Sequence, residues 1–246
     1  MRSGRGDPER LAAGAALLAD FAVEPVTLPG VDVLQAATEI ADAGVEDLLP
    51  PGLHPTGPPL ATWVIWRCPE SPWGPFSLWQ VRLSCRSGVR PRGFVLASGA
   101  DSSAAAMALA RGWGFPPGPT SAIRLDRHYD EVRARVQIGG VEALDVVLRR
   151  PEPLAPGDFQ PIAGVHLART PRGLRLVQLD PELAIERIER GALELERVDA
   201  ARCAKPGVVP TWPITACWLR ADLTLPRLRF ASRPELPAFA GTERLE

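Results

Sequence analysis

The sequence predicts a mainly β protein with a few helices, and two features carry that prediction. Apolar residues alternate with polar ones, or run unbroken, over short stretches such as LATWVIWRC (60–68) and FSLWQVRLSC (76–85). Glycine and proline punctuate those stretches at hairpin spacing, as at Gly139-Gly140 and Pro171-Arg172-Gly173. A length of 246 residues suits one large β domain, and 46% hydrophobic residues with 23% charged ones supply an ordinary core.

Taken in order, the chain opens on a predicted helix over 8–21, where Asp7 caps and alanine and leucine supply propensity. Residues 1–30 are thus expected to form a helical arm, broken by Pro25, Pro29 and Gly30. Residues 31–49 repeat apolar side chains at helical spacing and predict a second helix, stopped by Pro50-Pro51-Gly52. Strands follow over 60–68, 76–85 and 93–98. Asp101-Ser102-Ser103 then offers caps for a helix through the small residues 104–111, which ends at the glycine- and proline-rich stretch 112–119.

The second half predicts strands over 121–126, 131–138, 141–148, 164–169 and 174–179, with a proline-rich loop at 151–161. Residues 183–198 suit a helix by their charges but alternate at ALELERV, and strand is the preferred reading. A last strand at 214–225 leads to an open tail over 231–246. No repeat or low-complexity linker divides the chain, so a single domain over 1–246 is expected.

Composition excludes several functions. A net charge of -1 gives no reason to expect nucleic acid or an anionic membrane as partner. No apolar run has the length of a membrane span and no signal-peptide pattern is present. Cys68, Cys85, Cys203 and Cys217 lack metal-ligand spacing and His54, His128 and His166 are scattered, so neither a metal nor a cofactor is expected. Buried free thiols in a reducing cytosol are the simplest reading of the cysteines. No P-loop, dinucleotide fingerprint or Ser-His-Asp arrangement is visible.

The stretch AAMALARGWGFPPGPTSAIR (105–124) resembles the signature of the acetoacetate decarboxylase-like family, a small-residue helix running into Gly-x-Pro-Lys-Lys. Leu48-Leu49-Pro50-Pro51-Gly52-Leu53, Gly74-Pro75-Phe76 and Ala221-Asp222-Leu223-Thr224-Leu225-Pro226 resemble further family stretches in the same order. The resemblance spans about residues 40–230 and implies an antiparallel β-barrel or cone with a few outer helices, enclosing a pocket. It also implies a homo-oligomer.

In that family the first lysine of the signature forms a Schiff base, and the second lowers its pKa. Here the two positions read Pro117 and Gly118, and Lys205 is the only lysine in the chain. The family's pocket glutamates align with Val64 and Leu78, and its N-terminal pocket arginine has no counterpart. The joint loss implies a pocket turned from ionic chemistry to apolar contact. Alternation puts Trp66 on the face of Val64 and Gln80 on the face of Leu78, and Trp113 and Phe115 complete the apolar set. For Trp66 plain core is the preferred reading over pocket.

The expectation is therefore an enzyme that cyclises or isomerises an apolar, polyketide-like small molecule without an imine. The alternatives are a non-catalytic carrier of a hydrophobic ligand and a lyase or hydratase acting on a keto acid. Gln80 is the candidate to polarise a carbonyl and His166 a second catalytic candidate, although an outward, solvated histidine is the plainer reading of its strand position. Val64, Leu78 and Pro117 are expected to face one cavity.

Overall fold

The computed structural model describes residues 2–119 and 121–245. Thr120, inside the 105–124 stretch, and the end residues Met1 and Glu246 lie outside the described residues. Among the described residues, fifteen strands form one sheet. The first eight are β1 (Ala16–Leu17), β2 (Val26–Ile40), β3 (His54–Pro55), β4 (Leu60–Cys68), β5 (Phe76–Ser87), β6 (Arg90–Ala100), β7 (Ser121–Arg127) and β8 (Glu131–Ile138). The rest are β9 (Val141–Pro153), β10 (Gly164–Thr170), β11 (Gly173–Leu179), β12 (Glu182–Val198), β13 (Pro210–Leu225), β14 (Phe230–Ser232) and β15 (Thr242–Arg244). The helices α1 (Pro8–Leu11), α2 (Ser103–Trp113), α3 (Ala200–Cys203) and α4 (Ala238–Gly241), with short 3-10 turns, complete the regular structure of the described residues.

The strand order is β15-β14-β11-β10-β6-β5-β4-β2-β13-β12-β9-β8-β7, with β1 added to β10 and β3 to β5. The mainly β expectation holds. The pairing path is open, with β7 and β15 at its ends, so the sheet coils over itself as an open cone and does not close into a hydrogen-bonded barrel. Strand β7 comes back against β4, β5 and β6. Between these layers lies one core containing Trp63, Ile65, Trp79, Leu83 and Val132. The opposite face of β2, β4, β5 and β13 carries a second core, with Val33, Trp66, Leu78 and Leu219, covered by Leu109 and Trp113 of α2 and by Phe115.

Two helix expectations are corrected. Residues 31–49 do not form a helix, because Val31 to Ile40 belong to β2, the central strand between β4 and β13. Both faces of β2 are covered, so Val31, Asp32, Val33 and Leu34 are buried in succession and no alternation marks the strand. Pro29-Gly30 marks a bulge: the register against β13 shifts there, Gly30 has φ 58°, and its N–H donates to Asp222 Oδ1 at 2.9 Å. The N-terminal arm is also mostly non-helical. Helix α1 ends at Leu11, although Asp7 does cap it through the Glu9 N–H. Alanine propensity then loses to pairing: Ala16 and Leu17 run parallel to β10, and Leu18, fully buried, donates its N–H to Arg169 O.

The tail is likewise structured. Strands β14 and β15 pair with each other, and β14 extends the sheet beyond β11. The other strand expectations hold, including β12 over the ambiguous 183–198 stretch. Among the described residues, no helix is long and apolar enough to cross a membrane.

Candidate functional site

Ser102 starts α2 by accepting the Ala105 N–H at 3.3 Å, and Gly114 ends it in the left-handed region. Beyond Gly114 the chain crosses the sheet. Strands β6 and β10 pair only at Gly93–Gly164 and Phe94–Val165, so the rest of that edge is open to a crossing segment. Phe115 still lies on the α2 side, its ring 6.0 Å from Trp66 and 5.5 Å from His166. Ser98 Oγ then donates to Pro116 O. Gly118 packs on β6 so closely that a Cβ would stand 1.6 Å from Ser98 O.

This crossing divides the expected site. Pro117 and Gly118 are exposed and line a pocket of about 200 Å³ with Trp79, Phe94, Leu167 and Lys205. Val64 and Trp66 line a different cavity, of about 400 Å³, on the α2 face of the sheet. Leu78 and Trp113 are buried in the core beside the larger cavity without lining it. Trp113 Nε1 donates to Pro226 O at 2.8 Å. The expectation of one cavity for Val64, Leu78 and Pro117 is therefore corrected. Strand periodicity orders residues within β4 and β5, but it does not say through which gap a following loop passes.

The larger cavity has an apolar wall of Val33, Val64, Trp66, Leu219 and Leu223 from the central strands. Phe159, Pro161 and Ile162, from the loop after β9, form its roof. Its size and composition are those of small-molecule sites. Register explains the wall: Val33 lies opposite Trp66, and Val64 opposite both Gln35 and Gln80. The same face continues to Arg82, which lines the cavity and is 6% exposed.

Arg82 is the residue that sequence reasoning passed over. Its Nε and one terminal nitrogen donate to Gln80 Oε1 at 2.9 and 2.7 Å, and the other terminal nitrogen donates to Ile162 O. No carboxylate pairs with it among the described residues, and burial alone pulls its pKa down to about 10, so it remains a cation near neutrality. A guanidinium withdrawn from water without a counter-charge costs several kcal/mol, of the order of ~5. The signal was available, since FSLWQVRLSC places Arg82 in phase with Leu78 and Gln80 on the inward face.

Gln80, 1% exposed, lies beneath Arg82 and lines neither space. Its Nε2 has no partner among the described residues, a deficit costing about 1–3 kcal/mol. Toward the cavity mouth, Arg92 holds Asp180 and keeps its Nε unpaired. His166 is buried rather than solvated, because β10 lies between β6 and β11 with this face under Phe115. Its Nε2 meets Trp113 O at 2.8 Å, and burial drives its pKa down to about 4. As a neutral imidazole it donates to that carbonyl.

The four cysteines are free and buried, with the Cys85 and Cys203 thiols pushed up to about 12 by burial. Among the described residues no group of three or more His, Cys, Asp or Glu could hold a metal ion.

Known proteins bear on this geometry. The chain resembles, in structure, the acetoacetate decarboxylase of Legionella pneumophila, with a TM-score of 0.71 at 17% identity over 84% of this chain and 86% of that one. An acetoacetate decarboxylase-like enzyme from Sphingomonas wittichii RW1 matches at a TM-score of 0.66 and 18% identity, over 93% and 94%. The enduracididine biosynthesis enzyme MppR, complexed with the condensation product of pyruvate and imidazole 4-carboxaldehyde, matches at 0.65 and 16%, over 83% and 88%. At these identities the likeness shows the fold. No curated protein matches the chain in sequence. The description of the acetoacetate decarboxylase family matches residues 19–233, and the chain belongs to that family.

Proposed function

We propose that this chain binds an apolar small organic molecule in the 400 Å³ cavity and converts it, by cyclisation or isomerisation, without a Schiff base. The observation that carries the reading is the cavity itself, apolar over most of its wall and roof, with the buried Arg82 lacking a carboxylate partner among the described residues and with Gln35, Arg90 and the Arg92–Asp180 pair as the rest of its polar lining. A site of this kind acts by orientation and by excluding water, and orientation is worth up to about 7–11 kcal/mol of a barrier in favourable cases. Gln80 acts through Arg82 in this reading, by fixing the guanidinium plane. The imine route lacks its amine: Pro117 and Gly118 stand at the aligned lysine positions, and Lys205 lines the other pocket.

One observation favours a second reading, a carrier that holds the molecule unchanged. The one carboxylate on the cavity lining among the described residues, Asp180, is engaged by Arg92, so no free base faces the ligand. Filling the cavity tests the shared premise. Val64→Trp places an indole where the wall now leaves room, and it is expected to abolish binding of apolar probes while circular dichroism and melting temperature stay near wild type. Probe binding that survives Val64→Trp removes the cavity from consideration. Chromatography of a bound ligand before and after incubation then separates conversion from carriage.

A further inference from the structure

We infer that the face around the mouth of the 400 Å³ cavity docks on a lipid bilayer that carries anionic headgroups, with Val89 and Phe239 entering the headgroup boundary. The docking surface stands on its own observations. Its use, to take an apolar ligand directly from the bilayer, rests on the cavity reading above.

Two apolar tips mark this face. The hairpin between β5 and β6 turns at Gly88-Val89, inside the register pair Ser87–Arg90, with Gly88 in the left-handed region at φ 62°. A turn tip favours a small or polar residue, yet Val89 stands there 93% exposed. Helix α4 comes against the same hairpin, since a Cβ on Gly88 would stand 3.5 Å from Ala238 Cβ. The next residue on that helix, Phe239, is also 93% exposed. Its backbone is held in place: the Ala240 and Gly241 N–H groups donate to Pro237 O, and the Arg233 N–H donates to Gly241 O at 3.0 Å. Both side chains are left free of their own chain, on neighbouring elements.

Positive charge surrounds the tips. Arg86 and Arg90 flank the turn, and Arg233 leads into α4. All three are exposed, and none has a side-chain partner among the described residues. Residues 76–100 contain no acidic residue, and residues 233–241 contain only Glu235. The net charge of -1 averages over the whole chain and hides this local excess. Apolar insertion and attraction between arginines and anionic lipids are each weak alone, and a peripheral membrane site combines them.

Shape and place identify the partner. A specific protein complex needs about 800 Å² of continuous surface on each side, which two isolated tips do not offer. The headgroup boundary accepts apolar tips of any shape. The exposed Arg90 and Pro91, which follow Val89, also line the 400 Å³ cavity, so its mouth adjoins the hairpin. An apolar small molecule dissolves in the bilayer, and a cavity whose mouth lies against that layer fills without a passage through water.

Co-sedimentation of the full chain with vesicles tests the inference, with phosphatidylcholine alone compared with phosphatidylcholine in which roughly one lipid in three is phosphatidylglycerol. The anionic vesicles are expected to bind the chain at least about tenfold more tightly than the neutral ones, and high salt to release it. Arg86→Ser and Arg233→Ser are each expected to weaken binding about fivefold at low salt. Val89→Asp combined with Phe239→Asp is expected to weaken it about tenfold or more, with an unchanged melting temperature because both positions are exposed. Equal affinity for the two vesicle types, or binding that none of these variants weakens, overturns the inference. Pelleting without vesicles that Phe239→Asp abolishes assigns the tips to a second copy of this chain and overturns it as well. Val64→Trp keeps the two readings apart: it is expected to block the cavity and leave vesicle binding unchanged. Failure to bind vesicles removes the docking face and leaves the cavity standing.

Discussion

Burial sets the behaviour of His166. Its folded-state pKa of about 4 lies below the ordinary 6.5, because desolvation penalises the imidazolium and Arg82 adds repulsion against it. Above pH 6.5 both folded and unfolded states carry it neutral, and it adds no pH dependence. As pH falls from 6.5 toward 4 the unfolded chain gains a proton that the native chain refuses, so native stability falls across that window. The difference from 6.5 to about 4 corresponds to about 3 kcal/mol. Urea titrations from pH 7 to pH 4 are expected to show this loss in the wild type and not in His166→Gln, which still donates to Trp113 O. Equal slopes for the two would mean that the imidazole is solvated. Gly118 poses a steric question of the same size. A Cβ there meets backbone atoms, Ser98 O at 1.6 Å and Ser98 C at 2.6 Å, and backbone does not step aside as a flexible side chain does. Gly118→Ala is therefore expected to lower stability by about 1–3 kcal/mol, read as a fall in melting temperature. An unchanged melting temperature would show the 116–119 segment to be loosely seated.

Elements differ in how openly the chain declares them. Helix α2 is legible because its signals are local: Ser102 caps it, small and apolar residues fill it, and Gly114 closes it. Ser102→Ala is expected to cost about 1 kcal/mol in a thermal or urea melt, since the Ala105 N–H loses its acceptor. A change well below that would mean that packing of Leu109 and Trp113 alone sets the helix start. Strands β5, β8 and β11 are legible for a related reason, a polar and an apolar face or a turn at the end. Strand β2 is not, because its neighbours β4 and β13 and the covers on both faces are all remote in sequence. Its apolar residues satisfy two cores at once, Leu34 one and Val33 the other, and that double demand mimics helical spacing. The short strand β1 owes its form to β10, some 150 residues away, against the local preference of its alanines.

At the scale of the molecule, one sheet with two cores separates what the family signature holds together in sequence. Phe115 and Gly118 are three residues apart, yet they sit on opposite sides of the sheet, because the segment between them passes the open edge of β6. The apolar half of the candidate site, Val64 and Trp66, was readable from strand phase, whereas the slot that holds Arg82 needs Gly93 and Gly164 from two distant strands to be seen at all. This separation has a chemical consequence for the whole chain. Lys205, the only lysine, stands exposed on the loop after α3 at the rim of the 200 Å³ pocket, with no side-chain partner among the described residues. A Schiff-base lysine needs the carbonyl held against its amine, and an exposed rim gives little such orientation. Incubation with a β-keto acid and borohydride, followed by peptide mass mapping, is expected to leave the Lys205 peptide unmodified and to give the same map for Lys205→Ala. A reduced adduct at Lys205, lost in that variant, would instead place covalent chemistry in the smaller pocket beside Pro117 and leave the 400 Å³ cavity to bind rather than react.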